Sequence, residues 1–414
     1  MLHRVVVTGM GAFTPIGKDI PTFWQNAVEG RSAFAPITRF DASRYRTQFA
    51  AQIGGYDPAQ YLNRTDIKRA DRYTQYALVA ADQAIQDSGF DLAAMDPFDV
   101  GVIWASGQGG TETLEEQTTE FARGDGQPRF SPFLVPKVLV NLASGLISIR
   151  HGFMGINYTP VSACASSNSA LMDAFNYIRL GKAKIIVSGG SDAAITPSSF
   201  GGYCSMKAMS TRNASPQTAS RPFDVERDGF VMGEGAGALV LEEYEHAKAR
   251  GATIYGEIVG AAMTADAYHI TATHPEGVGA TKAMQLALTE ARLNMEDLDY
   301  LNAHATSTPV GDLSEMNAVA RLTGNRKTRL RISATKSITG HLMGAAGAIE
   351  ALISLLAIRD NVIPPTINTE VRDPAIPESL NIVFKEAVST PVNTAMSNTF
   401  GFGGHNGIVV FKKI

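Results

Sequence analysis

Cysteine is almost missing from this chain: only Cys164 and Cys204 occur among 414 residues. So few thiols exclude a disulfide scaffold and fit a reducing compartment. No apolar run reaches the 18 residues a membrane-crossing helix needs, so no membrane association is expected. The start, MLHRVVVTGMG, reads as a strand and a turn without a signal-peptide pattern, which makes the cytoplasm the expected location. Charge is sparse too. Charged residues make up 18% and the net charge is −4, so there is no broad basic surface for nucleic acid. Proline-rich and low-complexity linkers are lacking. Metal-ligand spacing is also missing: His269 and His274 stand in DAYHITATHPEG without a third ligand, so no metal site is expected and the pair is placed at the mouth of a tunnel. GEGAG (Gly233 to Gly237) lacks the lysine-serine ending of a phosphate loop and reads as a tight turn and strand.

What is present is a chain able to bury a large core, with 44% hydrophobic residues and 39 scattered glycines. Apolar β-branched runs alternate with amphipathic helical stretches, the pattern of an α/β protein. Strands are expected at Arg4 to Thr8, Val100 to Trp104, Ile185 to Ser188, Gly237 to Leu241, Leu330 to Ser333 and Ile408 to Phe411. Helices are expected at Arg69 to Ser88, Asn168 to Leu180, Glu242 to Arg250, Thr281 to Ala291 and Gly347 to Arg359. A faint internal echo accompanies them. DVGVIWASGQGGTE (from Asp99) and DYLNAHATSTPVGD (from Asp299) share a strand, small-residue turn and helix outline. The segments around Cys164 and His341 echo each other likewise, which would put these two residues at matching helix N-termini. Two related halves are expected, residues 1–252 and 253–414.

Cys164, in TPVSACASSNSALMDAF, carries the chemistry. Small and β-prone residues precede it, and an apolar stripe of Leu171, Phe175 and Ile178 follows. A sulfur at such a strand-to-helix turn meets the free N–H groups of the helix start, which favours thiolate over thiol. His304 and His341, in polar glycine-containing contexts, supply acid/base capacity.

Several long motifs, in order along the whole chain, resemble the elongating β-ketoacyl-acyl-carrier-protein synthases of the thiolase superfamily. They are RVVVTGMGAFTPIG, SACASS, RPFDVERDGFVMGEGAGALVLEEYEHAKARGA, NAHATSTPVGD, TKSITGHLMGAAGAIE and SNTFGFGGHN. The resemblance implies a five-layer αβαβα fold of two related halves and a homodimer. It implies a decarboxylative condensation of an acyl group, held on Cys164, with malonyl-acyl-carrier protein. His304 and His341 then stabilise the enolate, Lys336 supports them, with Glu350 as its pairing partner, and the backbone N–H groups of Cys164 and Phe400 hold the acyl oxyanion. Thr306 and Thr308 match the pair that hydrogen-bonds the pantetheine arm. Gly401, Gly403 and Gly404 match the hinge of a gate carrying Phe400 and Phe402. No cofactor is implied, because phosphopantetheine arrives on the carrier.

Arg64, Lys68 and Arg72, with Arg69 beside them, are spaced as one basic helical edge. The resemblance makes that edge, with Arg129 and Lys207, the dock for an acidic acyl carrier protein. Two positions depart from the family pattern: Ala305 replaces a glycine, and Gln108 stands where an aliphatic residue is usual at the mouth of the acyl pocket. An unpartnered amide there would cost about 1–3 kcal/mol, so Gln108 is expected either to turn away from the pocket or to change the accepted chains. Three rivals remain. A thiolase needs a second cysteine in a C-terminal CxG motif, whereas this C-terminus reads GFGGHNG. A ketosynthase of a type II polyketide or aryl-polyene pathway shares nearly every motif. A non-catalytic chain-length partner lacks the nucleophile that this chain has.

Overall fold

The computed structural model describes residues 2–414, Ala94 by its backbone alone. Its first half contributes strands β1 (Val5–Phe13), β2 (Val100–Ala105), β3 (Asn157–Tyr158), β4 (Ile185–Asp192) and β5 (Gly235–Glu243). The second contributes β6 (Gly256–Ala265), β7 (Tyr300–Asn302), β8 (Arg331–Ser333), β9 (Asn381–Ile382), β10 (Thr394–Gly401) and β11 (His405–Lys412). The strands run β9-β8-β7-β10-β11-β6-β1-β5-β4-β2-β3. The halves meet where Val5 to Val7 of β1 lie antiparallel to Gly256 to Ile258 of β6.

Reading outward from that seam, each half repeats one pairing pattern. β1–β5 and β5–β4 are antiparallel, then β4–β2 and β2–β3 are parallel. Likewise β6–β11 and β11–β10 are antiparallel, then β10–β7 and β7–β8 are parallel. Helices follow the same repeat: α1 (Arg72–Ser88), α2 (Thr111–Arg123) and α3 (Ser166–Arg179) have counterparts in α4 (Val278–Ala291), α5 (Pro309–Leu322) and α6 (Ala346–Asp360). The echo between DVGVIWASGQGGTE and DYLNAHATSTPVGD is therefore structural: both are strand, turn and helix at equivalent places.

Both α3 and α6 touch strands of both halves and form the middle layer of the αβαβα stack, while α1 and α4 cover the outer faces. Composition explains the placement. Every residue of α6 from Ala346 to Ile358 is buried, as a helix apolar on all sides must be. In contrast α1 is polar along one face, starts from an Asp71 side chain capping Tyr73 N–H and ends at Gly89, φ 63°.

The expected strands all occur, most extended by several residues. The expected helix Arg69 to Ser88 occurs but starts at Arg72, and a separate helix ends at Arg69. Residues Arg64–Arg69 form a short one, which stops where Ala70 turns extended (ψ 135°). The basic edge accordingly does not exist as one row: Arg64, Lys68 and Arg69 are exposed, but Arg72 opens α1 half-buried. Its Nε donates to Glu112 Oε2 at 2.7 Å, and its guanidinium lies 5.9 Å from the Tyr56 ring. Short range periodicity ran across a break set by the Asp71 cap.

Candidate active site

The nucleophile turn is built from serines. A short 3-10 turn, Ala163–Ala165, leads directly into α3. Ala163 sits at φ 50°, a conformation costing an alanine about 1–3 kcal/mol unless its surroundings impose it. They do: Ser162 N–H donates to Ser166 Oγ (2.9 Å), Ser166 Oγ donates to the Ala163 carbonyl (2.6 Å), and the Ser162 and Ser169 hydroxyls bond at 2.6 Å. The end of β10 packs so close that a Cβ on Gly401 would lie 2.6 Å from the Ser162 carbonyl oxygen. That glycine brings the next amide towards the sulfur, and the backbone N–H groups of Phe402 and Cys164 favour its thiolate. Of the two phenylalanine amides, it is that of Phe402 and not Phe400 that acts on the sulfur. Phe400 lies within the β10–β11 ladder, opposite Asn406, and offers its ring, 5.6 Å from that of His304.

Cys164 Sγ lies 3.0 Å from His341 Nε2. His341 is gripped by its backbone: its N–H donates to the Val231 carbonyl (2.8 Å), and Gly233 N–H donates to its carbonyl (2.9 Å). The His304 ring stands 5.4 Å from that of His341, at 88°. His304 follows β7, and its turn is held by the buried Glu315 of α5, which accepts the N–H groups of His304 (3.0 Å) and Ala305 (2.8 Å) and the Asn398 side chain (2.9 Å). Ala305 has no left-handed φ and is buried, so its extra methyl meets no backbone conflict. Nδ1 of both imidazoles is buried without a partner, which leaves the tautomer of each free to change.

Burial also decides the charges. It pushes the Cys164 thiol up to about 12, against the downward pull of the Lys336 ammonium and the Phe402 and Cys164 amides. Here the expectation of a resting thiolate fails, because desolvation outweighs the helix start. Burial also holds both His304 and His341 well below the usual imidazole range, reinforced by Lys336. Lys336 is buried and ion-paired with Glu350, whose carboxyl burial raises to about 7. At neutral pH the site holds a neutral thiol beside two neutral imidazoles.

These groups share a cavity of about 410 Å³. Cys164, His304, His341, Phe400, Phe402, Thr306, Thr308 and Lys207 all line it, and the Thr306 and Thr308 hydroxyls bond at 3.1 Å. Lys336 stands behind the imidazoles. His269 and His274 do not line the cavity; Thr271, Ala272 and Thr273 between them do, while the His269 ring accepts the Thr271 and Ala272 N–H groups. Gln108 is not unpartnered: its Nε2 donates to Tyr203 OH and its Oε1 accepts from Ser199 Oγ, both at 2.9 Å. Arg129 is exposed and paired with Asp125 (3.0 Å). Sequence reasoning missed Glu315 and Asp192. The latter ends β4 and accepts Ser106 Oγ (2.8 Å) and the N–H groups of Gly107 (2.9 Å), Gln108 (3.1 Å) and Gly344 (2.6 Å), tying both halves at the site. A carboxylate on the buried face of a helix, or closing an apolar strand, is the signal that would have found them. No cluster of metal-ligating side chains occurs among the described residues.

A half-buried thiol touching one imidazole that in turn packs on a second, at the seam of a duplicated α/β frame, defines a carbon–sulfur acyl-transfer site. Residues 2–247 match the family described as "Beta-ketoacyl synthase, N-terminal domain", and residues 255–370 match "Beta-ketoacyl synthase, C-terminal domain". The chain belongs to the β-ketoacyl synthase family. It is 47% identical over 410 residues to 3-oxoacyl-[acyl-carrier-protein] synthase 2 of Synechocystis sp., covering 99% of this chain and 98% of the relative. Among solved structures it resembles the ishigamide ketosynthase/chain length factor (TM-score 0.93, 31% identity). It also resembles a type II polyketide ketosynthase in complex with its acyl-carrier protein (TM-score 0.91, 31% identity). Each covers 100% of both chains.

Proposed function

We infer that the protein is an elongating 3-oxoacyl-[acyl-carrier-protein] synthase, extending fatty acyl chains by decarboxylative condensation. The observation that carries this reading is the 3.0 Å contact of Cys164 with His341, beside His304, in a chain alike end to end with a synthase 2. The 47% identity to that synthase against 31% to the type II polyketide ketosynthase favours fatty-acid elongation over polyketide assembly.

In the first step His341 Nε2 takes the Cys164 proton as the sulfur attacks the acyl thioester. The tetrahedral oxyanion accepts the amides of Cys164 and Phe402, and the carrier thiol leaves with the proton from His341. Malonyl carrier follows. Its bond to the carboxylate breaks, carbon dioxide departs, and the electron pair becomes an enolate whose oxygen accepts N–H groups from the neutral His304 and His341. The carbanion attacks the acyl carbonyl, the oxyanion forms again at the same two amides, and the Cys164 thiolate leaves and takes a proton from solvent. Lys336 serves by its charge: it disfavours imidazolium and so keeps both rings as neutral donors.

Thr306 and Thr308 are fitted to the pantetheine arm. Exposed Lys68, Arg69 and Arg64, with Lys207 at the cavity rim and Arg129, are fitted to an acidic acyl carrier protein; Arg72 is spent on Glu112. No cofactor beyond the carrier's phosphopantetheine enters these steps. A homodimer is inferred from the two-residue edge strand β3 and the exposed Val135, Leu139, Ile149 and Met154 in the segments beside it; sedimentation at twice 44.1 kDa, lost on charge substitution at Ile149, checks it. A cytoplasmic location is inferred from two free cysteines, and no helix among the described residues is long and apolar enough to cross a membrane.

The test is mass spectrometry of purified protein with acyl carrier and malonyl carrier. Native protein gives 3-oxoacyl carrier, and Cys164→Ser does not. Lys68→Glu with Arg69→Glu raises the KM for acyl carrier about tenfold while leaving that for a small acyl thioester in place. Undiminished condensation by Cys164→Ser would overturn the reading.

A further inference from the structure

Against the cavity wall stands a hydrogen-bonded row that the steps above leave unused. Ser199 Oγ donates to Gln108 Oε1, and Gln108 Nε2 donates to Tyr203 OH. The base of Gln108 is fixed as well, because its backbone N–H donates to Asp192 Oδ1. Every donor in the row points the same way, towards Tyr203. The phenol oxygen accepts, while its own proton has no acceptor among the described residues.

Tyr203 lines the same cavity as Cys164. Its ring meets Phe230 edge-on at 5.8 Å and leans on Phe402 at 6.4 Å. Met206 and Met343 line the same cavity, so the Tyr203 side chain stands among apolar neighbours. Burial holds the phenol well above its usual range, which keeps it a donor at every working pH. A donor at the end of a polarised row is strengthened by the bonds behind it, and covering it with hydrocarbon leaves it unpaired at the cost of its desolvation. A saturated hydrocarbon chain lying here leaves that cost standing, whereas a chain carrying an oxygen removes it.

We propose that the Tyr203 hydroxyl, held in place by Gln108 and Ser199, recognises an oxygen in the acyl chain, so that hydroxyacyl or oxoacyl carriers are selected over saturated acyl carriers of equal length. Gln108 is then a positioning residue and Tyr203 the specificity-determining one. The proposal rests on acyl transfer to Cys164 as inferred above.

Its test is a competition for Cys164, read as adduct mass, between each member of a hydroxyacyl-carrier series (hydroxyl at successive carbons) and the saturated acyl carrier of the same length. In native protein one hydroxyl position is expected to win by about tenfold. Tyr203→Phe brings that ratio to about one, and Gln108→Leu to a value between. Because each ratio is measured within a single protein, a general loss of activity does not disturb it. A native ratio of one or below at every position, or a preference that survives Tyr203→Phe, would overturn the proposal. Absence of any adduct from either chain in native protein would instead remove the acyl-transfer reading beneath it.

Discussion

Two turns of this molecule share a 3-10 conformation opened by a left-handed residue yet do opposite work. In the first half Ala163 (φ 50°), Cys164 and Ala165 make a 3-10 turn and run into α3. In the second, Met343 (φ 52°), Gly344 and Ala345 do the same and run into α6. The counterpart of Cys164 is thus Gly344 and not His341, as the sequence echo suggests; the histidine lies three residues upstream, where the backbone is bridged to Met232. One copy of the turn spends its central residue on a nucleophile. The other spends it on proximity: a Cβ on Gly344 would lie 2.3 Å from Gly107 N and 2.7 Å from Asp192 Oδ2. Duplication supplied the frame, and each half then put a different demand on the same position.

The comparison can be broken directly. Gly344→Ala is expected to lower the Tm steeply, since backbone must shift at a cost of roughly 1–3 kcal/mol or more, and activity falls with it. Cys164→Ala is expected to abolish condensation while changing stability by less than about 1 kcal/mol, because its sulfur faces the cavity. Thermal unfolding of the two variants side by side checks this; equal Tm losses would contradict it.

A finer division separates the two histidines. His341 touches the sulfur and serves both half-reactions, so His341→Ala should slow acyl transfer to Cys164 as well as malonyl decarboxylation. His304→Ala should slow decarboxylation by about 10²–10³-fold, the range for losing one oxyanion donor, and leave acyl transfer much less affected. Single-turnover acylation measured against carbon dioxide release separates the two; identical profiles would dissolve the distinction.

Much of this arrangement was legible beforehand. Strands were readable because β2, β4, β5 and β11 are apolar runs long enough to be told from helix, and the large buried α6 announced itself by lacking a polar face. The nucleophile and both histidines lay in long motifs whose order alone was informative. What failed depended on tertiary context. The basic row broke at Ala70 because a cap, invisible to periodicity, starts a new helix at Arg72. Phe400 and Phe402 differ by two residues, and only the approach of Gly401 to the serine-braced turn decides which amide reaches the sulfur. Gln108 looked stranded because Ser199 and Tyr203, which satisfy it, lie some 90 residues away in the chain. Above all, the charge of Cys164 follows from burial, which no local pattern reports.

That last point is the centre of the account: a sulfur protonated at rest, relieved of its proton only as substrate arrives. The direct measurement is the rate of Cys164 alkylation by iodoacetamide as a function of pH. With the thiol pushed up to about 12, the thiolate fraction and hence the rate should climb about tenfold per pH unit through pH 10 without levelling. A plateau reached by pH 8 would mean a standing thiolate and would contradict it.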